Sequence, residues 1–403
     1  MLDRFDSVAR WTPPYRQNLA QSSNIKMVNV NITTYDFDLH GIVGIRLVNA
    51  TPGDLAVVKR QLGPIQGTLA TDPDIVIRFV DHLQLSSSVR YIGVEDAGFT
   101  DDAFLILRGK YQTSVKAKIP FDQIGSRQFE IVCETGAPAV PLLIAIINLT
   151  ALSKGVLPLH ASALLYNGKG VLITGWSKGG KTETLLAFAA NGAQFVGDEW
   201  IYLGMNGQQM YGIPEPTRIW YWHLQEMPGY KAMVNRKDLL RLQALDLFAK
   251  ILEKLLSTSS RLSGRYLQIL KRSTALIKRQ LYVQVPPDKL FRHKVDQKDV
   301  RPEKIFFVVS HDKPELTVQR INSTEVAERM VFSLQEERMD FMSYYFKYRF
   351  AFPACSNSLI DQAEEIQRKL VLKALAGKEA YAIYHPYPFS IPSLFDTIRP
   401  YCA

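Results

Sequence analysis

Cysteine is scarce in this chain: Cys133, Cys355 and Cys402 are the only three, far apart and without a CxxC pair. A disulfide framework is excluded, and without a His/Cys cluster at ligand spacing so is a structural zinc site. Long apolar runs are missing too. The longest, Ala137 to Leu152, contains two prolines, an Asn and a Thr and falls short of the roughly 20 residues that span a bilayer. The opening MLDRFDSVARWTPPY is broken by charges and prolines where a secretory signal needs a continuous apolar core. A cytoplasmic protein is the expectation. Internal repeats and low-complexity tracts are also lacking.

What is present is a globular composition. With 47% hydrophobic and 22% charged residues over 403 positions, the chain can build a large core, in one or two folded units. Its formal charge of +9 is concentrated in one place. Between Arg236 and Tyr282 eleven Lys and Arg stand against Asp238, Asp246 and Glu253, and the rest of the chain is nearly neutral. This segment reads as one or two amphipathic helices, with Leu245, Phe248, Leu252 and Leu255 at helical spacing and a break suggested by Ser257 to Ser260 and Gly264. A solvated helical hairpin has this composition. So does a surface that docks an acidic protein or peptide, or that folds over a nucleotide as a lid. Nucleic acid and membrane are the less favoured partners, and a homo-oligomer stays open.

From about Lys26 to Thr135 the pattern is that of short strands separated by Gly, Asp, Asn and Pro, with Val28, Val30 and Ile32 alternating and further candidates at Ile75 to Val80, Val89 to Val94, Phe104 to Leu107 and Phe129 to Cys133. VPLLIAIINLTAL, Val140 to Leu152, suits a buried helix. The expected division is a β-rich region, 1–150, and an α/β domain, 151–403, that carries the helical insertion at about 236–285. After Pro286-Pro287 the pattern predicts strands at Ile305 to Ser310 and Leu316 to Ile321 and a helix from Ser323 to Glu337. A second helix over Leu359 to Ala376, a strand at Ala380 to Tyr384 and a short helix after Pro392 close the chain.

The informative stretch is Gly170 to Trp200, which reads strand, loop, helix, strand. Gly175-Trp-Ser-Lys-Gly-Gly-Lys-Thr182 matches GxxxxGK[ST] in full. Glycines let successive N–H groups turn inward onto anionic oxygens, and the following helix adds the positive end of its dipole. Lys181 reaches terminal phosphates and the Thr182 hydroxyl is a ligand for Mg²⁺. An ordinary glycine turn matches by chance in about one random chain in 70 of this length, and here the match falls after a strand and before a helix. ATP with Mg²⁺ is the expected cofactor pair, bound by Gly175, Ser177, Lys178, Gly179, Gly180, Lys181, Thr182 and Thr184.

Asp198-Glu199 follows that helix by one short strand. A right-handed βαβ crossover returns the second strand parallel to the first, so the pair arrives at the phosphate edge. One carboxylate can hold the metal while the other takes the proton of an attacking hydroxyl. A solvated acidic loop would present the same dipeptide, and in a continuous strand the two side chains would point to opposite faces. His160, just ahead of the phosphate-loop strand, reads as a hydrogen-bonded core histidine or as a catalytic one. Arg218, in PEPTRIW, is placed to clamp a phosphate or a substrate carboxylate, or simply to pack on a rigid proline turn. His223 reads as structural.

The run LHASALLYNGKGVLITGWSKGGKTETLLAFAANGAQFVGDEW resembles the core of the HPr kinase/phosphorylase family and its relatives, which include kinase-like proteins of peptide biosynthetic clusters. The likeness is close over about 42 residues and looser to Arg218 and the strands near Ile305 and Leu316. It implies a P-loop kinase of the phosphoenolpyruvate-carboxykinase-like fold that phosphorylates a serine-type hydroxyl on a peptide, protein or small molecule. His160 would match the family's active-site histidine, Lys181 and Thr182 its phosphate-loop pair, and Asp198 and Glu199 its acidic pair, with both acids near the metal. Glu199 departs from the usual second Asp, which leaves base and metal partner unassigned. The family's Glu- and Arg-containing signature for attack on the phosphoprotein is not found, so a reverse phosphorylase activity is not implied. Two other readings fit the same residues: a nucleotide-binding regulatory or scaffolding module, and a P-loop ATPase that uses water as acceptor.

Overall fold

The computed structural model describes residues 33–402 apart from 94–95, 109–113, 205–206, 259–263, 292–299 and 388. The strand candidates Val28, Val30 and Ile32, and Val94, lie outside the described residues. Thr33 to Ala403 forms one compact unit, an α/β structure built on two mixed sheets of eight strands each and a two-stranded ribbon.

The first sheet comprises β1 (Thr34–Leu39), β2 (Val43–Val48), β3 (Ile75–Val80), β4 (Arg90–Ile92), β5 (Ala97–Phe99), β6 (Phe104–Arg108), β7 (Ser114–Lys118) and β8 (Phe129–Glu134), in the order β1-β2-β3-β8-β7-β6-β5-β4. In β3 and β8 every second residue is buried, the period of a sheet with one face on the core. Helix α1 (Pro52–Leu62) starts at a reciprocal Thr51/Asp54 capping box with Pro52 in its first turn. Helix α2 (Leu143–Ser153) is apolar nearly all round and sinks into the same core.

The second sheet comprises β9 (Leu157–Tyr166), β10 (Lys169–Gly175), β11 (Gln194–Gly197), β12 (Trp200–Gly204), β13 (Gln209–Gly212), β16 (Lys304–Ser310), β17 (Thr317–Ile321) and β18 (Glu379–His385). Its order is β13-β12-β9-β10-β16-β18-β17, with β11 also paired to β9. The central strands β10, β16 and β18 are parallel. They carry unbroken apolar runs because helices cover both faces. On one side lies α3 (Lys181–Ala189), on the other the long α8 (Ser323–Ala351) and α10 (Ala363–Leu375), beyond the short α9 (Ser358–Asp361). The closing helix α11 (Ile391–Ile398) packs with α3.

Between β13 and β16 the chain makes an excursion. The ribbon of β14 (Thr217–Trp220) and β15 (Tyr282–Val285) brackets α4 (Tyr221–Glu226) and the basic helices α5 (Arg236–Thr258) and α6 (Gly264–Lys278), and the short α7 (Pro287–Leu290) follows.

Three expectations change. The second helix, expected unbroken over Leu359 to Ala376, is divided at Gln362 into α9 and α10. The helix predicted to end at Glu337 runs on to Ala351, since no Gly or Pro interrupts it before Pro353. Its second half inserts Phe341, Tyr345 and Tyr348 into the core of the first sheet. In α5 the packed face shares only Leu252 with the row Leu245, Phe248, Leu252 and Leu255. Leu242, Ala249 and Leu252 are buried while Phe248 and Leu255 are half exposed. The helix is apolar on two faces, and periodicity alone does not choose between them.

Candidate functional site: a phosphate loop beside a carboxylate and histidine cluster

Strand β10 delivers the loop from the middle of the second sheet. Gly175 ends it at φ 146°, and a Cβ there would meet the Val308 carbonyl oxygen at 2.6 Å, so the neighbouring parallel strand admits only glycine. Lys178 (φ 61°) and Gly180 (φ 107°) turn the loop through left-handed conformations before α3 begins. His385, at the end of β18, supports the loop from below, its Nε2 standing 2.7 Å from the Gly179 carbonyl oxygen. A Cβ on Gly180 would lie 2.9 Å from that same nitrogen. Sequence reasoning passed over His385, which lies more than two hundred residues away and joins no motif.

Lys181 is only 6% exposed. Its Nζ donates to the Trp176 carbonyl at 2.9 Å, and burial lowers its pKa against the pull of Glu199, Glu337 and Asp198. The Thr182 hydroxyl points at the Asp198 carboxylate, 3.4 Å from both oxygens. Thr184 faces inward, where its hydroxyl donates to the Gly180 carbonyl at 2.9 Å, and it is fully buried. It stabilises the first turn of α3 and does not line the cavity described below. Glu183 accepts from His223 Nε2 at 3.1 Å. The Trp220 N–H donates to His223 Nδ1, which fixes the proton on Nε2. This fully buried histidine therefore ties α4 to the first turn of α3.

The acidic pair sits in an interruption of one long strand. β11 and β12 both run antiparallel to β9, β11 opposite its second half and β12 opposite its first. As β10 is also antiparallel to β9, β11 runs parallel to β10 with β9 between them, and its carboxyl end reaches the edge where the loop lies. The ladder has ended at Gly197, and Glu199 takes φ 65°, so the alternation that would separate the two side chains does not apply.

The two acids experience different surroundings. Asp198 is 2% exposed and accepts a 2.6 Å hydrogen bond from Ser162 on β9. Burial, reinforced by the charge of Glu199, pushes its carboxyl up to about 7. Glu199 has 48% of its side chain open to the cavity. A hydrogen bond from His160 Nε2 at 3.2 Å holds its pKa below the usual carboxylate value, ahead of the opposing effect of enclosure by protein.

His160 lies between two carboxylates. Its Nδ1 is 2.5 Å from Glu337 Oε1 on α8, an ion-pair contact that lies off the axis of a hydrogen bond. Burial pulls the imidazole down, and the contacts to Glu199 and Glu337 outweigh it and raise its pKa. Trp200 packs at 5.7 Å between ring centroids. Glu215, on the turn before β14, is a fourth carboxylate in the neighbourhood. Burial, then the charges of Glu199 and Asp198, raise it far above the ordinary value, and its Oε1 is a buried atom with no hydrogen-bond partner among the described residues. Glu337 and Glu215 had no motif to announce them, although Glu215 stands three residues before the Arg218 that was singled out.

A cavity of about 610 Å³ is lined by His160, Glu199 and Glu337, by Ser177, Lys178 and Lys181 of the loop, and by Arg218 and Trp222. Asp246 of α5 and Lys278 of α6 close its far wall. Asp198 is not among the lining residues and lies buried against Thr182. Arg218 stacks its guanidinium over Tyr282 at 4.7 Å and is exposed.

Among the described residues no group of three or more His, Cys, Asp or Glu could hold a metal ion alone. A Mg²⁺ held largely by phosphate oxygens and water needs only one or two protein ligands, and Thr182 with Asp198 fits that description. A cation between them would also offset the burial of Asp198 and the charge of Glu199, which together raise the Asp198 pKa. No helix among the described residues is long and apolar enough to cross a membrane. No family model and no curated protein matches the chain.

Proposed function

We propose that this chain is an ATP- and Mg²⁺-dependent kinase that transfers a γ-phosphoryl group to a serine-type hydroxyl on a peptide, protein or small molecule, with a P-loop core resembling that of HPr kinase. The observation that carries the proposal is the 3.4 Å approach of the buried Asp198 carboxylate to the Thr182 hydroxyl at the head of a phosphate loop, with a second carboxylate, Glu199, beside it on the cavity wall. A simple ATP-binding module has no need of that second group.

In this reading accessibility divides the two acids. Asp198, buried under Thr182, is the metal partner. Glu199, open to the cavity and kept ionised by His160, accepts the proton of the acceptor hydroxyl at its free oxygen. His160 Nε2 holds the other Glu199 oxygen, and Glu337 anchors the imidazole from behind. The bound Mg²⁺ supplies charge neutralisation between the phosphates. Loop N–H groups and Lys181 position the triphosphate, so catalysis rests mainly on placement and electrostatics.

The test is incubation with γ-labelled ATP, Mg²⁺ and a peptide or metabolite extract, followed by identification of the labelled product. Lys181→Ala should abolish labelling while leaving the circular dichroism spectrum unchanged. A K181A chain that labels as well as wild type, or phosphate released to water as fast with no acceptor present, would refute the kinase assignment.

A further inference from the structure

Helix α5 carries an unusual outer face. Leu240, Leu247, Phe248, Ile251 and Leu255 are each 47–65% exposed, and with the exposed Ala244 they fall at intervals of four, three, one, three and four residues. At 100° per residue these six positions occupy a stripe about 100° wide and about 22 Å long. Monomeric proteins scatter exposed apolar residues singly and seldom align them.

The charges on α5 are sorted around that stripe. Arg236, Lys250 and Lys254 fall along one flank and Arg241 along the other, while Lys237 is in line with the stripe at its N-terminal end. Asp238, Asp246 and Glu253 occupy the opposite sector, where Asp246 lines the cavity and the helix packs through Leu242, Ala249 and Leu252. On α6 the exposed Lys271, Arg272 and Arg279 add to the excess of positive charge, with Leu276 58% exposed among them.

We infer that α5 is a docking face for an anionic lipid surface, lying in the headgroup plane with its leucine and phenylalanine stripe inserted and its Lys and Arg on the phosphates. Three features select this occupant. The stripe residues stand proud of the helix, as their exposure shows, which suits a flat deformable layer better than the wall of a groove. Basic residues flank it on both sides, so a second copy would meet like charge in either orientation. The acids of the helix lie on the sector opposite the stripe, where Asp246 pairs with Lys250 and Asp238 with Arg241, so the exposed Arg236 and Lys237 are the bases that meet anionic headgroups. The inner side of α5 meanwhile borders the cavity, so docking would hold the proposed active site next to the surface.

The full chain should co-sediment with vesicles of phosphatidylcholine plus phosphatidylserine, and far less with phosphatidylcholine alone. Added salt should weaken the binding. Arg236→Gln and Lys237→Gln should each reduce it about fivefold, the equivalent of about 1 kcal/mol per basic residue. Leu247→Ser with Phe248→Ser should abolish it while thermal unfolding stays cooperative. Equal binding to both vesicle types, or binding indifferent to the serine substitutions, overturns the inference. So does a chain that ignores both vesicles and binds an acidic amphipathic peptide through the same residues, or one that is dimeric and dissociates on the same substitutions. These measurements involve no ATP, so they stand or fall apart from the kinase reading.

Discussion

His160 and Glu337 meet at 2.5 Å between Nδ1 and Oε1, joining strand β9 to the middle of the long helix α8. The same helix fills the core of the first sheet with Phe341, Tyr345 and Tyr348. One rigid element thus anchors the imidazole that faces Glu199 and also ties that site to the other sheet.

This contact predicts a titration. His160 has a folded-state pKa raised above its ordinary value, so its protonation contributes stability that is fully present below the unfolded value near 6.5 and is lost as pH rises through the folded value. Glu337→Gln removes one of the two carboxylates. The His160 ring signals, followed by NMR, should then titrate at lower pH than in wild type. An unchanged midpoint would mean that the contact does not hold in solution.

Asp198 gives a slope of the same sign in a lower pH window. Its carboxyl is raised to about 7, so between the unfolded value near 4 and pH 7 the native state binds more protons than the unfolded chain. In that window each increase in pH destabilises the metal-free protein, at up to about 1.4 kcal/mol per unit. Asp198→Asn should flatten this dependence and raise the melting temperature at pH 8, measured calorimetrically with EDTA present. Mg²⁺ should stabilise the wild type at pH 8 and leave the Asn variant unmoved.

The two acids should also separate kinetically. Glu199→Gln keeps the hydrogen bond to His160 within reach but removes the proposed proton acceptor, so kcat should fall about 10²- to 10⁴-fold with ATP binding little changed. Asp198→Asn should instead weaken the Mg²⁺ dependence of nucleotide binding, read by titration of a fluorescent ATP analogue. If the two variants show the reverse pattern, base and metal partner must be exchanged.

Gly175→Ala tests the scaffold. The new Cβ would press on the Val308 carbonyl at 2.6 Å with φ 146°, a strain of about 1–3 kcal/mol. The melting temperature should drop by several degrees and ATP affinity should fall with it. A variant of unchanged stability would show that β10 and β16 can separate at this point.

The α/β class, half the strands of the first sheet, most of the second and the glycine-rich loop were legible because each depends on local pattern. Val171 to Thr174 reads as a buried strand from its own residues, and GxxxxGK[ST] encodes its backbone turns in glycine. Asp198 and Glu199 were legible as a pair for the same reason. Their division into a buried acid at about 7 and an exposed one held by histidine was not. It depends on Ser162, His160 and Glu337, brought from β9 and α8 by the pairing of β12 with β9 and the packing of α8.

The sequence by itself therefore determined that this chain carries a glycine-rich GxxxxGK[ST] loop on an α/β sheet, along with a strongly basic helical segment, because glycine placement, period and charge are properties of neighbouring residues. Only the tertiary structure decided which carboxylate is buried, which histidines serve the loop and which face of α5 is left to solvent. Those outcomes follow from desolvation and from contacts between segments far apart in the chain, where no local pattern records them.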